Sequence, residues 1–157
     1  YCAVKPAPAD IVITTNGGYP LDQNAYQCPK GMSAAEATVN DGGVIIMLAT
    51  CQDGHGGESY YHSIADAESA DAFFQQCLHT PQVETLPDQW CAQIWCRIVR
   101  KYKVLFVADK AQEQLIRDLK VEYFETLDEA YARARELKGP DATLTCIPNG
   151  VSVVVKD

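Results

Sequence analysis

The chain has 157 residues, 47% of them hydrophobic, which is the size of one ordinary domain with enough apolar side chains for a core. Its formal net charge of −8 is concentrated in residues 1 to 100, where four Lys/Arg stand against eleven Asp/Glu, and no polybasic stretch exists to meet a nucleic-acid backbone. No hydrophobic run is long enough to cross a bilayer, and seven scattered cysteines, an odd number, suit the reduced thiols of a cytoplasmic protein rather than a disulfide framework.

The chain opens on Tyr1 rather than Met, with no recognisable signal peptide, and is expected to be part of a longer protein. Residues 11 to 15 (Ile-Val-Ile-Thr-Thr) and 44 to 49 (Val-Ile-Ile-Met-Leu-Ala) are continuous apolar or β-branched runs, the pattern of parallel strands covered on both faces. Between them residues 25 to 39 supply helix formers, and Asn40-Asp41-Gly42-Gly43 supplies a stop, making one βαβ unit. A helix running unbroken from 23 to 39 would put Tyr26 and Lys30 on one face, at i and i+4. Pro29 would clash inside such a helix, so a short turn through Tyr26 and a restart with Pro29 in the first helical turn is the expected alternative.

Further along, helices are expected over 58 to 67 and 69 to 78, and Pro81 and Pro87 bracket a loop. Leu86-Pro87-Asp88 opens a helix to Arg100 in which Cys91, Ile94, Trp95 and Ile98 recur at helical spacing. Strands over 104 to 107 and 121 to 124 alternate with helices over 111 to 119 and 127 to 137, the last closed by Gly139-Pro140. Residues 143 to 147 and 151 to 155 flank Pro148-Asn149-Gly150, a hairpin signal. The sum is a single α/β domain: an open, mostly parallel, Rossmann-like sheet flanked by helices, with a C-terminal antiparallel hairpin. In such sheets ligands lie beyond the carboxyl ends of the strands. The glycine loops at Gly17-Gly18 and at Gly54-His55-Gly56-Gly57 follow successive strands and so share that rim.

Each polar signal has a bland reading beside its functional one. Gly17-Gly18 lacks the G-x-G-x-x-G spacing of a dinucleotide site and serves equally well as a tight turn. The 54 to 57 loop is dense enough in glycine for backbone amides to approach an anion, yet it has no Gly-Lys-Ser/Thr ending. His55, His62 and His79 have neither mutual ligand spacing nor a carboxylate at the right offset, so no metal site is expected wholly inside this chain. Trp95 belongs to the core stripe; Trp90 lies off it, where it either packs or walls a ligand. Lys30 taken alone is a solvated charge. Paired with the Tyr26 phenol, it becomes a device for orienting a small carboxylate.

The block Gly17-Gly18-Tyr19-Pro20 followed by Tyr26-Gln27-Cys28-Pro29-Lys30 closely resembles the C-terminal domain of the nickel-dependent lactate racemase family, with its Gly-Gly-Tyr-Pro turn and Tyr-Gln-x-x-Lys helix. Asp41-Gly42-Gly43, the glycine loop at 54 to 57 and Asp88-Gln89-Trp90-Cys91-Ala92-Gln93 extend the resemblance over nearly the whole chain. It implies the substrate-side domain of a two-domain 2-hydroxyacid racemase or epimerase, inactive without its own N-terminal domain. There a nickel-pincer nucleotide accepts a hydride from the carbinol carbon and returns it to either face of the keto acid. It also implies catalytic roles for Lys30 and Tyr26, and substrate contacts from Tyr26, Gln27, Lys30 and Trp90. The rival from another class is a stand-alone α/β module that binds a small anion on the glycine rim and catalyses nothing.

Overall fold

The structure, a computed structural model, describes residues 2 to 156. A short strand β1 (Ala3–Val4) precedes β2 (Ala9–Thr15), which runs through a one-turn 3-10 helix (Ala25–Gln27) into helix α1 (Cys28–Glu36) and then β3 (Val39–Leu48). Helices α2 (Glu58–Ala65), α3 (Ala70–His79) and α4 (Gln89–Lys101) lead to β4 (Lys103–Val107); α5 (Glu113–Asp118) leads to β5 (Glu122–Phe124). Helix α6 (Leu127–Lys138), opened by a Thr126/Glu129 capping box, crosses back to β6 (Leu144–Ile147), and β7 (Val154–Val155) ends the order.

The main sheet is five-stranded, in the order β5-β4-β3-β2-β6, and every neighbouring pair in it is parallel. From β2 the chain steps outward strand by strand with α1, α2 to α4 and α5 on one face. It then returns to the opposite edge through α6 on the other face, as right-handed crossovers require. Period-two alternation divides β3 accordingly: Ile45 and Met47 join the core under α1, α2 and α4, while Val44 and Ile46 join the smaller core under α6. Both faces are covered, which is why the strands read as unbroken apolar runs. Trp95 is fully buried in the larger core, and its indole N–H donates to the Leu119 carbonyl at 2.9 Å.

Two expectations are overturned. The C-terminal antiparallel hairpin does not form: β6 pairs parallel with β2, with Ile11 opposite Leu144 and Thr14 opposite Ile147, and β7 pairs parallel with β1. The free edge of β2 outcompetes a local turn because Asp10 and Thr143 clamp the two strand starts together. The Asp10 carboxylate accepts from the Thr143 N–H at 3.0 Å and hydroxyl at 2.8 Å, and the Thr143 hydroxyl in turn accepts from the Asp10 N–H at 3.0 Å. At the other end Gly150 N–H donates to the Thr15 carbonyl at 2.9 Å, so the turn hydrogen-bonds to β2 rather than to a hairpin partner. Asn40-Asp41-Gly42-Gly43, expected to stop a helix, lies inside β3 instead. Register jumps there from Ala9 opposite Val39 to Ile11 opposite Val44, and Gly42 takes the positive φ of 71° that the irregularity needs. The helix has already ended at Ala37, and Thr38 bonds back to the Ala34 carbonyl.

The restart at Pro29 is found as expected: a 3-10 turn holds Tyr26, and α1 begins at Cys28 with Pro29 in its first turn. No helix among the described residues is long and apolar enough to cross a membrane.

The β2/β6 clamp has a pH signature. Hydrogen bonds from the Thr143 N–H, the Asn40 amide and the Thr143 hydroxyl hold the Asp10 carboxyl at about 2, below the ordinary 3.8. A depressed carboxyl stabilises the fold above its unfolded-state pKa and loses that contribution as pH falls through the folded value. Asp10→Asn is therefore expected to lower the melting temperature at pH 7, with the gap to wild type closing between about pH 4 and pH 2. A gap that stays constant across that window in thermal melts would remove Asp10 from the clamp.

Candidate functional site

The site grows out of the end of β2. Asn16, fully buried, donates through its amide to the carbonyls of Leu21 at 2.7 Å and Gln27 at 2.8 Å, and accepts from the Gly31 N–H at 3.1 Å. One side chain thus fixes the 3-10 turn and the first turn of α1 to the strand tip. Gly31 is obligatory, because a Cβ there would collide with Asn16 and the Thr15 carbonyl. The rim loop after β3 lies alongside the same segment: Cys51 N–H bonds to Asp22 O at 3.0 Å, Asp53 N–H to Gln23 O at 2.8 Å, Ala25 N–H to Gly54 O at 3.0 Å and Tyr26 N–H to His55 O at 3.1 Å. Residues 22 to 26 are therefore held from both sides.

What this scaffold presents is a small cleft of about 90 Å³ between α1 and the start of α4, lined by Tyr26, Pro29, Lys30, Ser33, Trp90, Cys91 and Ile94. The Tyr26 ring stands edge-on to Tyr60, with centroids 5.4 Å apart, and to Trp90 at 6.1 Å. Its hydroxyl donates to Asp88 Oδ1 at 3.1 Å, and its backbone carbonyl accepts from the Cys91 thiol at 3.3 Å. Asp88 precedes α4 in the left-handed region with φ 63°, which aims its carboxylate at Tyr26 rather than at its own helix. Lys30 is exposed and its ammonium donates to the Gln27 side-chain carbonyl in a short contact. Trp90 is 55% exposed, a large apolar surface left open at the cleft mouth.

Burial, reinforced by the hydrogen bond to Asp88, pushes the Tyr26 phenol up to about 12, so it stays protonated at neutral pH. Burial likewise pushes the Cys91 thiol up to about 12, which leaves a packing sulfur and no thiolate nucleophile. Besides the Cys91 thiol, the polar groups lining the cleft are then one ammonium, one neutral phenol and the Ser33 hydroxyl, which donates to the Pro29 carbonyl, with the Gln27 amide alongside at Lys30. That set can hold a carboxylate and hydrogen-bond a neighbouring hydroxyl or carbonyl.

Of the residues singled out from sequence, Tyr26, Lys30 and Trp90 line this cleft, and Gln27 lies outside its lining, bonded to the Lys30 ammonium. The rim loop contributes from behind. His55 Nδ1 accepts the Gly57 N–H at 3.1 Å and its ring stacks on Tyr61, while the backbone of Gly56 packs against Asn24. Gly54 has open space beside it. Gly17 packs against Asn149 and Gly18 faces a separate cleft, so neither lines this one. Among the described residues no group of three or more His, Cys, Asp or Glu could hold a metal ion. Sequence reasoning missed Asp88 and Asn16 as positioning groups. The signal that could have found Asn16 was Gly31, a glycine within a helix, which marks a close backbone approach.

Comparison with known proteins decides the family. A family model described as the lactate racemase C-terminal domain matches residues 4–155. The chain belongs to the lactate racemase C-terminal domain family. It is 49% identical over 154 residues to a lactate racemase of Lactiplantibacillus plantarum, and 46% identical over 154 residues to one of Thermoanaerobacterium thermosaccharolyticum. Each alignment covers 98% of this chain and 36% of the relative, so the chain spans about a third of the length of the curated relatives it matches. The solved structure of the lactate racemase apoprotein from T. thermosaccharolyticum superposes with a TM-score of 0.95 at 45% identity, covering 99% of this chain and 37% of that one.

In this lactate racemase C-terminal domain the Tyr26–Asp88 bond ties the 3-10 turn to α4. Tyr26→Phe is expected to cost roughly 1 to 2 kcal/mol in denaturant melts at pH 7. A phenol whose folded pKa is raised stabilises fully below its unfolded value and loses that contribution as pH climbs through the folded one. The difference should therefore shrink between about pH 10 and about pH 12. Equal stability of the two proteins at pH 7 would mean that the bond holds nothing.

Proposed function

We propose that this chain is the substrate-side, C-terminal domain of a two-domain lactate racemase-type enzyme that interconverts the stereoisomers of a small 2-hydroxy acid. The observation that carries the reading is the convergence of Tyr26, Lys30 and Trp90 on one cleft, with Gln27 bonded to the Lys30 ammonium, in a chain 46 to 49% identical to proteins named lactate racemase. A nickel-pincer nucleotide would supply the hydride acceptor, and it is the likeness to proteins named lactate racemase that assigns it to the complete protein, on the N-terminal domain in this reading.

The work assigned to this chain is binding and orientation. The Lys30 ammonium, already steered by Gln27, takes the substrate carboxylate in a charge-assisted hydrogen bond, and the Gln27 amide N–H groups are left to donate to a second oxygen. With its proton committed to Asp88, the Tyr26 oxygen keeps a lone pair that accepts from the 2-hydroxyl. The open Trp90 face supplies an apolar wall that excludes water once the other domain closes over it. Racemisation requires the C2–H bond to break, the planar keto acid to present its other face and the hydride to return. A carboxylate pinned at Lys30 lets C2 turn about that anchor without leaving the site. Holding C2 in line is where most of the rate gain from this side would come.

Lys30→Ala in the complete protein is expected to lower turnover on the best 2-hydroxy acid by roughly thirty- to a thousandfold, the loss of about 2 to 4 kcal/mol of barrier stabilisation. Its stability should change by no more than about 0.5 kcal/mol, since Lys30 is exposed. The measurement is a racemisation assay over several D- and L-2-hydroxy acids with a thermal melt of the same preparation. Near-normal turnover would reduce Lys30 to a solvated charge and end this reading of the cleft.

A further inference from the structure

Helices α1 and α4 both descend from the carboxyl rim: α1 begins past the tip of β2, and Tyr102 alone separates the end of α4 from the start of β4. Ser33 therefore lies about one helical turn below Lys30, and Ile94 about one turn below Trp90, each roughly 5 Å further from the rim. The Tyr26–Lys30 cleft thus has an outer end, where Trp90 is exposed, and an inner end walled by Ser33 and Ile94. Ile94 is half-buried and packs against the larger core, which holds its side chain in place.

The chemistry of the inner end is selective. The Ser33 hydroxyl gives its proton to the Pro29 carbonyl at 2.7 Å, and the Cys91 thiol gives its own to the Tyr26 carbonyl at 3.3 Å. Neither has a hydrogen left for an anion, so Lys30 is the group in the lining that can hold a carboxylate, and it is taken by the first one. A second carboxylate, carried on the substituent at C2, would be buried against the Ser33 oxygen with no donor to meet it. Size is limited as well. A volume of about 90 Å³ holds roughly three groups the size of a water molecule, enough for C2 and a substituent of about one or two carbons beneath an anchored carboxyl. When the flat keto acid turns about the bond from that carboxyl, its 2-oxygen and its substituent exchange places. A substituent that overfills the inner end cannot complete the exchange, so size acts on turnover as well as on binding.

We propose that Ile94 is the residue that sets substrate size: its side chain ends the space open to the substituent on C2, and the Ser33 oxygen at the same end turns away a second carboxylate. The class selected is a monocarboxylic 2-hydroxy acid with a short, uncharged substituent. The inference rests on the reading of Lys30 as the carboxylate anchor.

The test is kcat/KM of the complete protein on lactate, 2-hydroxybutyrate, 2-hydroxyhexanoate and malate, with calorimetric binding of the same acids to the complete protein free of cofactor. Ile94→Ala should raise the ratio of 2-hydroxyhexanoate to lactate by roughly tenfold or more. Ile94→Val, the milder change that decides the matter if Ile94→Ala does not fold, should raise the ratio of 2-hydroxybutyrate to lactate by roughly three- to fourfold. Binding should shift in the same order, and malate should stay a poor substrate in both variants, because neither adds a donor. Lys30→Ala on the same panel should lower all the rates together. Turnover that survives Lys30→Ala would overturn the anchor and this inference with it. Ratios unchanged from wild type in the Ile94 variants while Lys30→Ala is crippled, or malate turned over as readily as lactate, would overturn the role of Ile94 and Ser33 and leave the anchor standing.

Discussion

One buried amide organises the functional end of this domain. Asn16 sits where β2 stops, and its two amide donors and one acceptor satisfy Leu21 O, Gln27 O and Gly31 N. Those partners belong to the loop, the 3-10 turn and α1, three elements that no strand ladder would otherwise tie together. A fully satisfied polar group in a dry interior has few alternative arrangements, since breaking any one bond strands a donor or an acceptor. The positions of Tyr26, Gln27 and Lys30 therefore follow from the strand tip rather than from the flexibility of a surface loop.

Burial then sorts the chemistry. The same depth that raises the Tyr26 phenol and the Cys91 thiol to about 12 keeps both neutral, which leaves Lys30 as the charged group lining the cleft. At the neighbouring rim the balance is reversed, with carboxylates and no cation in the lining.

Much of the sheet was legible from sequence because strands covered on both faces announce themselves as apolar runs: β2 and β4 were found within two residues, and β3 from Val44 onward, while its start at 39 to 43 was read as a helix end. The proline restart at α1 was legible too, since Pro29 leaves the backbone so few options. Strand partnership was not. Pro148-Asn149-Gly150 carries every local mark of a hairpin, and only the distant Asp10–Thr143 clamp and the open edge of β2 decide that β6 lies parallel. At the site, Tyr26, Gln27, Lys30 and Trp90 stood out through family resemblance and chemical type. Asn16 and Asp88 did not, because a hub and a brace are defined by three-dimensional partners that spacing along the chain does not reveal. Gly17 and Gly56 looked like ligand-facing glycines, and their space is taken by Asn149 and Asn24 of the chain itself.

The central claim is that the Asn16-anchored turn aims Lys30 at a substrate carboxylate. A crystal structure of the complete protein with a bound 2-hydroxy acid tests it most directly. The account predicts the Lys30 ammonium within about 3 Å of a carboxylate oxygen, with Trp90 covering the carbon skeleton and the Asn16 bonds unchanged. A substrate carboxylate held elsewhere, with Lys30 pointing to solvent, would contradict it.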